Sequence, residues 1–325
     1  MKLAYDLTTH RGTASCAGSA GRRLLESARH SMELTNTTGF HMARVLNCFL
    51  WVLLAASVLG LAPSLAMAQG VAMVTDVSGR VTGQGPITIM SEISADFRAQ
   101  VEAGARLVVI YLKSGEEYTF TGPAQIQFRA TSPQVISGAQ PQKRPSPLAM
   151  GGNVTIKPVA VTQAAFVMRS ARPTARIKLL SLSGTKTLEA APGFRWQELE
   201  PGLTYRFELT DDTGKSLHEA DVTESSVKLP PAVRLRDNVT YTREVSARAK
   251  DGRRYVSASD FTVAPPELRA QARSLRPAAG APVSDRVAYA AWLEQVELKD
   301  EARKYWKALA GERPDDARLK SLAGE

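Results

Sequence analysis

Residues 106–120 of the chain read RLVVIYLKSGEEYTF, an apolar run, the Ser114-Gly115 dipeptide and a second apolar run. Short runs rich in Val, Ile, Tyr and Phe on either side of a turn dipeptide are typical of paired strands. The sequence therefore predicts a β-hairpin with strands at Leu107–Leu112 and Tyr118–Phe120. Gly122-Pro123 ends the second strand, because proline has no N–H to donate to a ladder.

The same pattern extends over residues 69–139, where short apolar runs alternate with glycine and proline. Such spacing predicts a small β domain. Residues 140–153 contain three prolines and two glycines without an apolar period, which predicts a linker.

Longer alternating runs return over residues 154–264. They are Ile177–Leu180, Tyr205–Leu209, Tyr241–Ala247 and Tyr255–Val263. About 110 residues of strands separated by turn dipeptides predict a β-sandwich.

The apolar period changes from 2 to 3.6 after Pro265-Pro266. Ala302, Tyr305, Trp306 and Leu309 stand at i, i+3, i+4 and i+7, the spacing of one helix face. The expected fold class is therefore mainly β, with two β domains followed by a short α-helical module at residues 265–325.

An apolar run at residues 45–61 follows Arg44 and precedes Ala66-Met67-Ala68. A positive residue, an apolar core and a small-x-small box are typical, in that order, of a secretory signal. We expect a signal peptide at about residues 42–68, cleaved between Ala68 and Gln69, and a periplasmic protein.

About 17 apolar residues are close to the minimum for spanning a bilayer, so an inner-membrane anchor through residues 45–61 is the alternative. Residues 1–41 have no apolar periodicity and fit no signal. We interpret them as an extension ahead of a translation start at Met42.

Both cysteines and three of the four histidines precede residue 69, so a cleaved chain keeps only His218. Thiol catalysis, a Ser-His-Asp triad and multi-histidine metal sites are then not expected. The acidic pairs Glu116-Glu117, Asp211-Asp212 and Asp315-Asp316 fall in turns or at helix starts, where such residues cap or solvate the backbone. We expect no enzyme activity, no cofactor and no metal.

The formal net charge of +9 is the remaining functional signal, and several basic residues cluster in residues 248–254. The candidate interaction surface comprises Arg248, Lys250, Arg253, Arg254, Trp292 and Trp306. A solvated basic face and core tryptophans are the simpler interpretations, and both stay open. Export argues against nucleic acid as a partner, whereas an acidic protein face or an anionic glycan or lipid fits the charge.

Residues 70–137 resemble the FecR-like periplasmic domain. The resemblance rests on Gly79, Ala103-Gly104-Ala105, Ser114-Gly115 and Thr119–Ala124. It implies a small β domain that works in the periplasm.

The second β domain resembles a fibronectin type III or immunoglobulin-like sandwich. The resemblance rests on Trp196, Tyr205-x-Phe207-x-Leu209, Leu229-Pro230 and Tyr241-x-x-x-Val245-x-Ala247. Arg243 stands where such domains often carry an apolar residue, so we expect a more solvated face there.

The C-terminal helices are similar to one tetratricopeptide unit through Ala302-x-x-x-Trp306, Leu309 and Pro314. One repeat cannot bury its own apolar face, so we expect it to dock on the sandwich or on a partner protein.

These observations favour an exported, non-catalytic scaffold or sensor of the bacterial cell envelope, with another envelope protein as its partner and envelope signalling as a setting. A module that binds polysaccharide, cell wall or lipopolysaccharide is the alternative. A hydrolase is a third hypothesis, and the scarcity of reactive side chains argues against it.

Overall fold

The computed structural model describes residues 70–150 and 176–324. Over these ranges the chain is mainly β, with antiparallel sheets followed by short C-terminal helices, and the predicted fold class is confirmed. None of the helices in these ranges is both long enough and apolar enough to cross a membrane. The expected signal peptide at 42–68, the alternative anchor at 45–61 and the extension at 1–41 lie outside the described residues.

Residues 70–150 form the first β domain, which contains two sheets. Its strands are β1 Gly70–Ser78, β2 Val81–Gly83, β3 Glu92–Ser94, β4 Arg98–Val101, β5 Arg106–Tyr111, β6 Glu116–Thr121, β7 Ala124–Phe128, β8 Pro133–Gly138 and β9 Gln142–Pro145. One sheet has the order β3-β1-β5-β6-β9 and the other the order β2-β4-β7-β8. The predicted hairpin is confirmed, because β5 and β6 pair antiparallel with Val109 opposite Tyr118.

Strand β5 is buried on both faces, which explains its continuous apolar sequence. Leu107, Val109 and Tyr111 pack in the apolar core between the two sheets. Ile110, on the opposite face, joins Met73 in a second core that also contains the C-terminal helices. We call this second cluster the helix core. The first sheet is therefore a middle layer, with a sheet on one side and helices on the other.

The prediction of a linker at residues 140–153 is wrong for most of that segment. Gln142–Pro145 form β9, which pairs with β6 at the edge of the first sheet. Pro147–Met150 form one helical turn, α1, and Leu148 in that turn is buried in the helix core. Prolines are compatible with both elements, because the end of an edge strand and the first position of a helix need no N–H donor.

Residues 176–264 belong to the second β domain. Its strands are β10 Thr185–Thr187, β11 Gly193–Arg195, β12 Tyr205–Thr210, β13 Ser216–Val222, β14 Ser226–Lys228, β15 Thr240–Arg248 and β16 Arg254–Val263. A five-stranded sheet has the order β10-β16-β15-β12-β13, and β11 and β14 form a two-stranded sheet. The aromatic core includes Phe194, Trp196, Tyr205, Phe207 and Phe261.

Three of the four strands predicted for this domain are confirmed as β12, β15 and β16. The fourth, Ile177–Leu180, is wrong, because that segment makes only one isolated bridge, between Leu179 and Trp196. The chain then turns at Leu182, which has a φ of 52°. Strand β10 follows and pairs parallel with β16.

The C-terminal helical unit consists of α2 Pro266–Ser274, α3 Val283–Gln295, α4 Lys299–Glu312 and α5 Ala317–Ala323. Ala302, Trp306 and Leu309 are fully buried, so the predicted apolar stripe is confirmed. Helix α5 begins after Asp316, whose carboxylate accepts hydrogen bonds from the backbone N–H groups of Arg318 and Leu319.

The helical unit contacts both β domains, but in different ways. Its apolar side packs in the helix core against Met73, Ile110 and Leu148 of the first β domain. The second β domain meets the α3–α4 turn through polar contacts: Lys186 N donates to Glu297 O at 2.7 Å and Lys299 N donates to Thr185 Oγ1 at 3.0 Å. The expectation that the apolar face docks on the sandwich or on a partner protein is therefore wrong, because that face packs mainly against the first β domain, with Ala264 and Leu188 of the second β domain at the margin of the helix core.

Candidate interaction surface

The β15–β16 hairpin brings together the four basic residues predicted as an interaction surface. Arg248 and Arg254 are paired across the two strands, and Lys250 and Arg253 lie in the connecting turn. Asp251-Gly252 makes this turn, with the N–H of Gly252 donating to Ala249 O at 2.9 Å and a glycine φ of 85°. All four basic side chains are exposed. We call them the basic hairpin tip.

The charges of the tip are only partly compensated. Asp251 accepts hydrogen bonds from the backbone N and the guanidinium Nε of Arg253. These bonds hold the pKa of Asp251 below its ordinary value and raise the pKa of Arg253. Arg248, Lys250 and Arg254 form no ion pair with any residue in the described part of the chain. The tip therefore presents three uncompensated positive charges to solvent.

A shallow depression of about 220 Å³ lies beside the tip, along the open side of β12 and β15. Arg248 and Arg254 line it together with Arg206 and Asp221. Arg206 is paired with Glu219 at 2.7 Å, whereas Asp221 is the acidic residue among the lining groups. The sequence analysis missed Arg206 and Asp221, because only the pairing of β12 with β13 and β15 brings them to this place.

The two tryptophans assigned to the candidate surface are not part of it. Trp292 is 2% exposed and stacks on Tyr289, with 5.7 Å between the ring centroids, and Trp306 is 0% exposed. The prediction that both tryptophans belong to an exposed interaction surface is wrong. They lie on the apolar faces of their helices, and these faces pack in the helix core.

The expectation of a more solvated face at Arg243 is wrong, because Arg243 lies on the buried face of β15. The side chain is fully buried, and its guanidinium lies 5.8 Å from the centre of the Phe194 ring. Nη2 donates to Ser181 O, while Nε and Nη1 have no hydrogen-bond partner. Burial lowers the pKa of Arg243 to about 10, against an opposing effect of Asp300, so the group is still charged at neutral pH.

A signal for this burial exists in the sequence. Tyr241, Arg243, Val245 and Ala247 alternate along β15, so all four face the same side of the sheet. Three apolar residues on that side predict that the fourth is also in the core.

The one histidine of the described chain, His218, lies half-buried on β13 with its ring 6.1 Å from that of Phe207. Within residues 70–150 and 176–324, no three His, Cys, Asp or Glu side chains gather as they would to hold a metal ion. The chemistry that this surface supplies is therefore electrostatic attraction of an acidic group.

Comparisons with known proteins add little. No family model matches the chain, and no curated protein matches it. The solved structures that match include CopC from Methylosinus trichosporium OB3b, at 19% sequence identity, covering 28% of this chain and 96% of that chain with a TM-score of 0.23. A TM-score this low does not establish a shared fold.

Proposed function

We propose that this protein is an exported, non-catalytic interaction scaffold of the bacterial cell envelope, built from FecR-like, fibronectin-like and tetratricopeptide-like parts. The observation that carries the proposal is the basic hairpin tip, where Arg248, Lys250 and Arg254 are exposed and form no ion pair with any described residue. Its preferred partner is an acidic face of another envelope protein.

The position of the tip supports this proposal. Strands β15 and β16 lie side by side within the five-stranded sheet, flanked by β12 and β10. The tip is thus an extension of a well-paired hairpin, which reduces the conformational entropy that its residues lose on binding. Exposed charges of one sign also speed encounter with a partner of opposite charge.

In-cell photo-crosslinking tests the proposal directly. A photoreactive residue at Lys250 is compared with one at Asp212, which is exposed in the β12–β13 turn at the opposite end of the same sheet. We expect a discrete crosslinked protein from position 250 that is absent from position 212. Identical products at the two positions, or none at position 250, would contradict the proposal.

Binding of an anionic glycan or lipid is the second candidate, and the same three unpaired cations favour it. Ion pairs at an exposed surface are screened by salt, so binding of this kind should weaken as ionic strength rises. We expect Arg248→Ala combined with Arg254→Ala to abolish co-sedimentation with lipopolysaccharide vesicles, while Asp212→Ala leaves it unchanged. Vesicle binding without a protein crosslink from position 250 would favour this candidate over the first.

A further inference from the structure

A cleft of about 290 Å³ lies where the second β domain meets helix α4, away from the basic hairpin tip. One wall comes from the segment around Ser181, Lys186 and Arg195, and the other from Asp300, Arg303 and Lys307 on α4. This volume is close to the lower end of the range for small-molecule sites, which often occur between domains.

Hydrogen bonds between the walls fix the shape of the cleft. Asp300 Oδ2 accepts from the backbone N of Leu182 at 2.6 Å, and Lys299 Nζ donates to Gly184 O at 2.9 Å. Thr185 Oγ1 donates to Glu297 O at 3.0 Å in the adjoining turn. These bonds join the loop before β10 to the start of α4, so the cleft exists before any ligand enters it.

The cleft has more free positive charge than free negative charge. Two of its acidic residues are already engaged, because Asp300 pairs with Arg303 at 2.8 Å and Glu301 pairs with Lys304 at 2.6 Å. Arg195 and Lys307 line the cleft without an ion pair to any described residue. Glu189 is the acidic lining residue that has no ion pair in the described chain.

Arg243 adds a buried charge behind the wall. Its guanidinium donates to the carbonyl oxygen of Ser181, a residue of the cleft, and the opposing carboxylate that acts on it is Asp300. Its Nε and Nη1 atoms have no hydrogen-bond partner among the residues that the structure describes. A charge inside the protein is screened much less than one at the surface, so its field reaches the adjacent cleft.

We propose that this cleft binds a small organic anion carrying carboxylate or phosphate groups. Arg195 on one wall and Lys307 on the other contact the anion, and Arg243 strengthens the positive potential from behind Ser181. A ligand held by both walls joins the second β domain to the helical unit, so its binding stabilises that junction by mass action.

Isothermal titration calorimetry tests the proposal. It uses the whole protein, purified from the cells that express it. The probes are citrate for carboxylates and inorganic phosphate for phosphates, each at an ionic strength held constant with sodium chloride. We expect saturable binding of at least one probe, and whichever binds identifies the anion class. Arg195→Ala combined with Lys307→Ala should weaken it at least ten-fold, and both substituted side chains are exposed, so the fold is retained.

The matched control is Lys113→Ala with Lys228→Ala, which removes two exposed positive charges outside both the cleft and the basic hairpin tip. We expect this variant to bind the anion as the unchanged protein does. No saturable heat with either probe, or equal weakening in both double variants, would overturn the proposal. The cleft variant should still give the crosslink from position 250, so failure of the cleft and failure of the scaffold proposal are distinguishable.

Discussion

The helical unit meets the two β domains through junctions of opposite character. Against the first β domain it buries large apolar side chains, and the buried carboxylates Asp76 and Glu117 are each paired with an arginine. Against the second it makes mainly polar contacts around an open cleft, with Ala264 and Leu188 at the margin of the helix core and the incompletely hydrogen-bonded Arg243 behind one wall. Close packing and paired charges are typical of junctions that stabilise a fold. A buried charge with incomplete hydrogen bonding is unfavourable for stability, so we interpret Arg243 as part of a binding site.

The buried carboxylates at the first junction have arginine partners. Asp76 is buried, and its carboxylate is bound by Arg106 and, at 2.7 Å, by Arg313 from the end of α4. Arg144 on β9 likewise joins Glu117, at 2.6 Å, to Asp285 on α3. The attraction of the partners offsets the desolvation of these carboxylates.

Trp306→Ala should have the largest effect, because it opens a cavity in the helix core. Replacing a fully buried tryptophan by alanine costs about 3–5 kcal/mol of stability. We expect lost hydrogen-exchange protection in α3 and in β1, since both elements contribute to this core. Exchange is the appropriate measurement, because a chain with several cores need not unfold in one step.

Trp196→Ala is the matched control, since Trp196 is as deeply buried but lies in the core of the second β domain. It should lower protection in β12 and leave α3 unchanged. If Trp306→Ala lowers hydrogen-exchange protection only in α4 and α5, the junction between the helical unit and the first β domain is weaker than its packing indicates.

Arg243→Met should have an effect of the opposite sign. The substitution removes a buried charge with two unpartnered nitrogens and keeps an apolar side chain of similar length, so we expect stability to rise by about 1–3 kcal/mol. Thermal unfolding measures the change. A clear loss of stability would show that the hydrogen bond to Ser181 O and the attraction of Asp300 outweigh the desolvation of Arg243.

Asp76→Asn is the counterpart at the first junction. Asparagine replaces a carboxylate that two arginines contact, so the charge-assisted hydrogen bonds are lost and stability should fall by about 2 kcal/mol. Opposite signs for the two substitutions would establish the contrast between the junctions.

The smallest effect concerns pH at the second junction. The Lys186 ammonium, 2.9 Å from Glu297, holds the pKa of that carboxyl below its ordinary value of 4.5. The folded state therefore binds this proton more weakly than the unfolded state. The contribution of the pair to stability is complete above pH 4.5 and is lost as pH falls through the lowered pKa. Because Glu297 is largely exposed, we expect only a few tenths of a kcal/mol.

Exchange of the Lys186 amide reports this change, because that N–H donates to Glu297 O across the junction. Its protection should fall as pH drops below 4.5 in the unchanged protein. Glu297→Gln removes the titrating group, and its protection should vary less over the same interval. Equal pH dependence in the two proteins would exclude the ion pair as the cause.

The sequence predicts elements whose signal is local. The β5–β6 hairpin, the long strands β12, β15 and β16, and the amphipathic α4 all have a clear apolar period, and each is present in the structure. The four basic residues of the hairpin tip all lie within residues 248–254 and meet across one turn, so their proximity was predictable as well.

Features that depend on distant parts of the chain were not predictable in this way. Gln142–Pro145 has no apolar period, and its place as strand β9 depends on pairing with β6 at the edge of the sheet. The cleft joins Arg195 to Lys307, which more than 100 residues separate, and no pattern near either residue indicates the other. Arg243 is intermediate, since strand alternation predicts that it points inward but not what it contacts.

The composition of the helix core has a consequence for the order in which the protein can fold. Met73, Ile89, Ile110 and Leu148 precede the second β domain in the chain, whereas most of their apolar partners follow it, in α2 to α5. The second β domain is made in between, so the outer face of the first sheet stays uncovered until these helices have been synthesised. Such late long-range contacts slow folding and expose apolar surface. The nascent protein therefore has a stage at which a chaperone can distinguish it from the finished molecule.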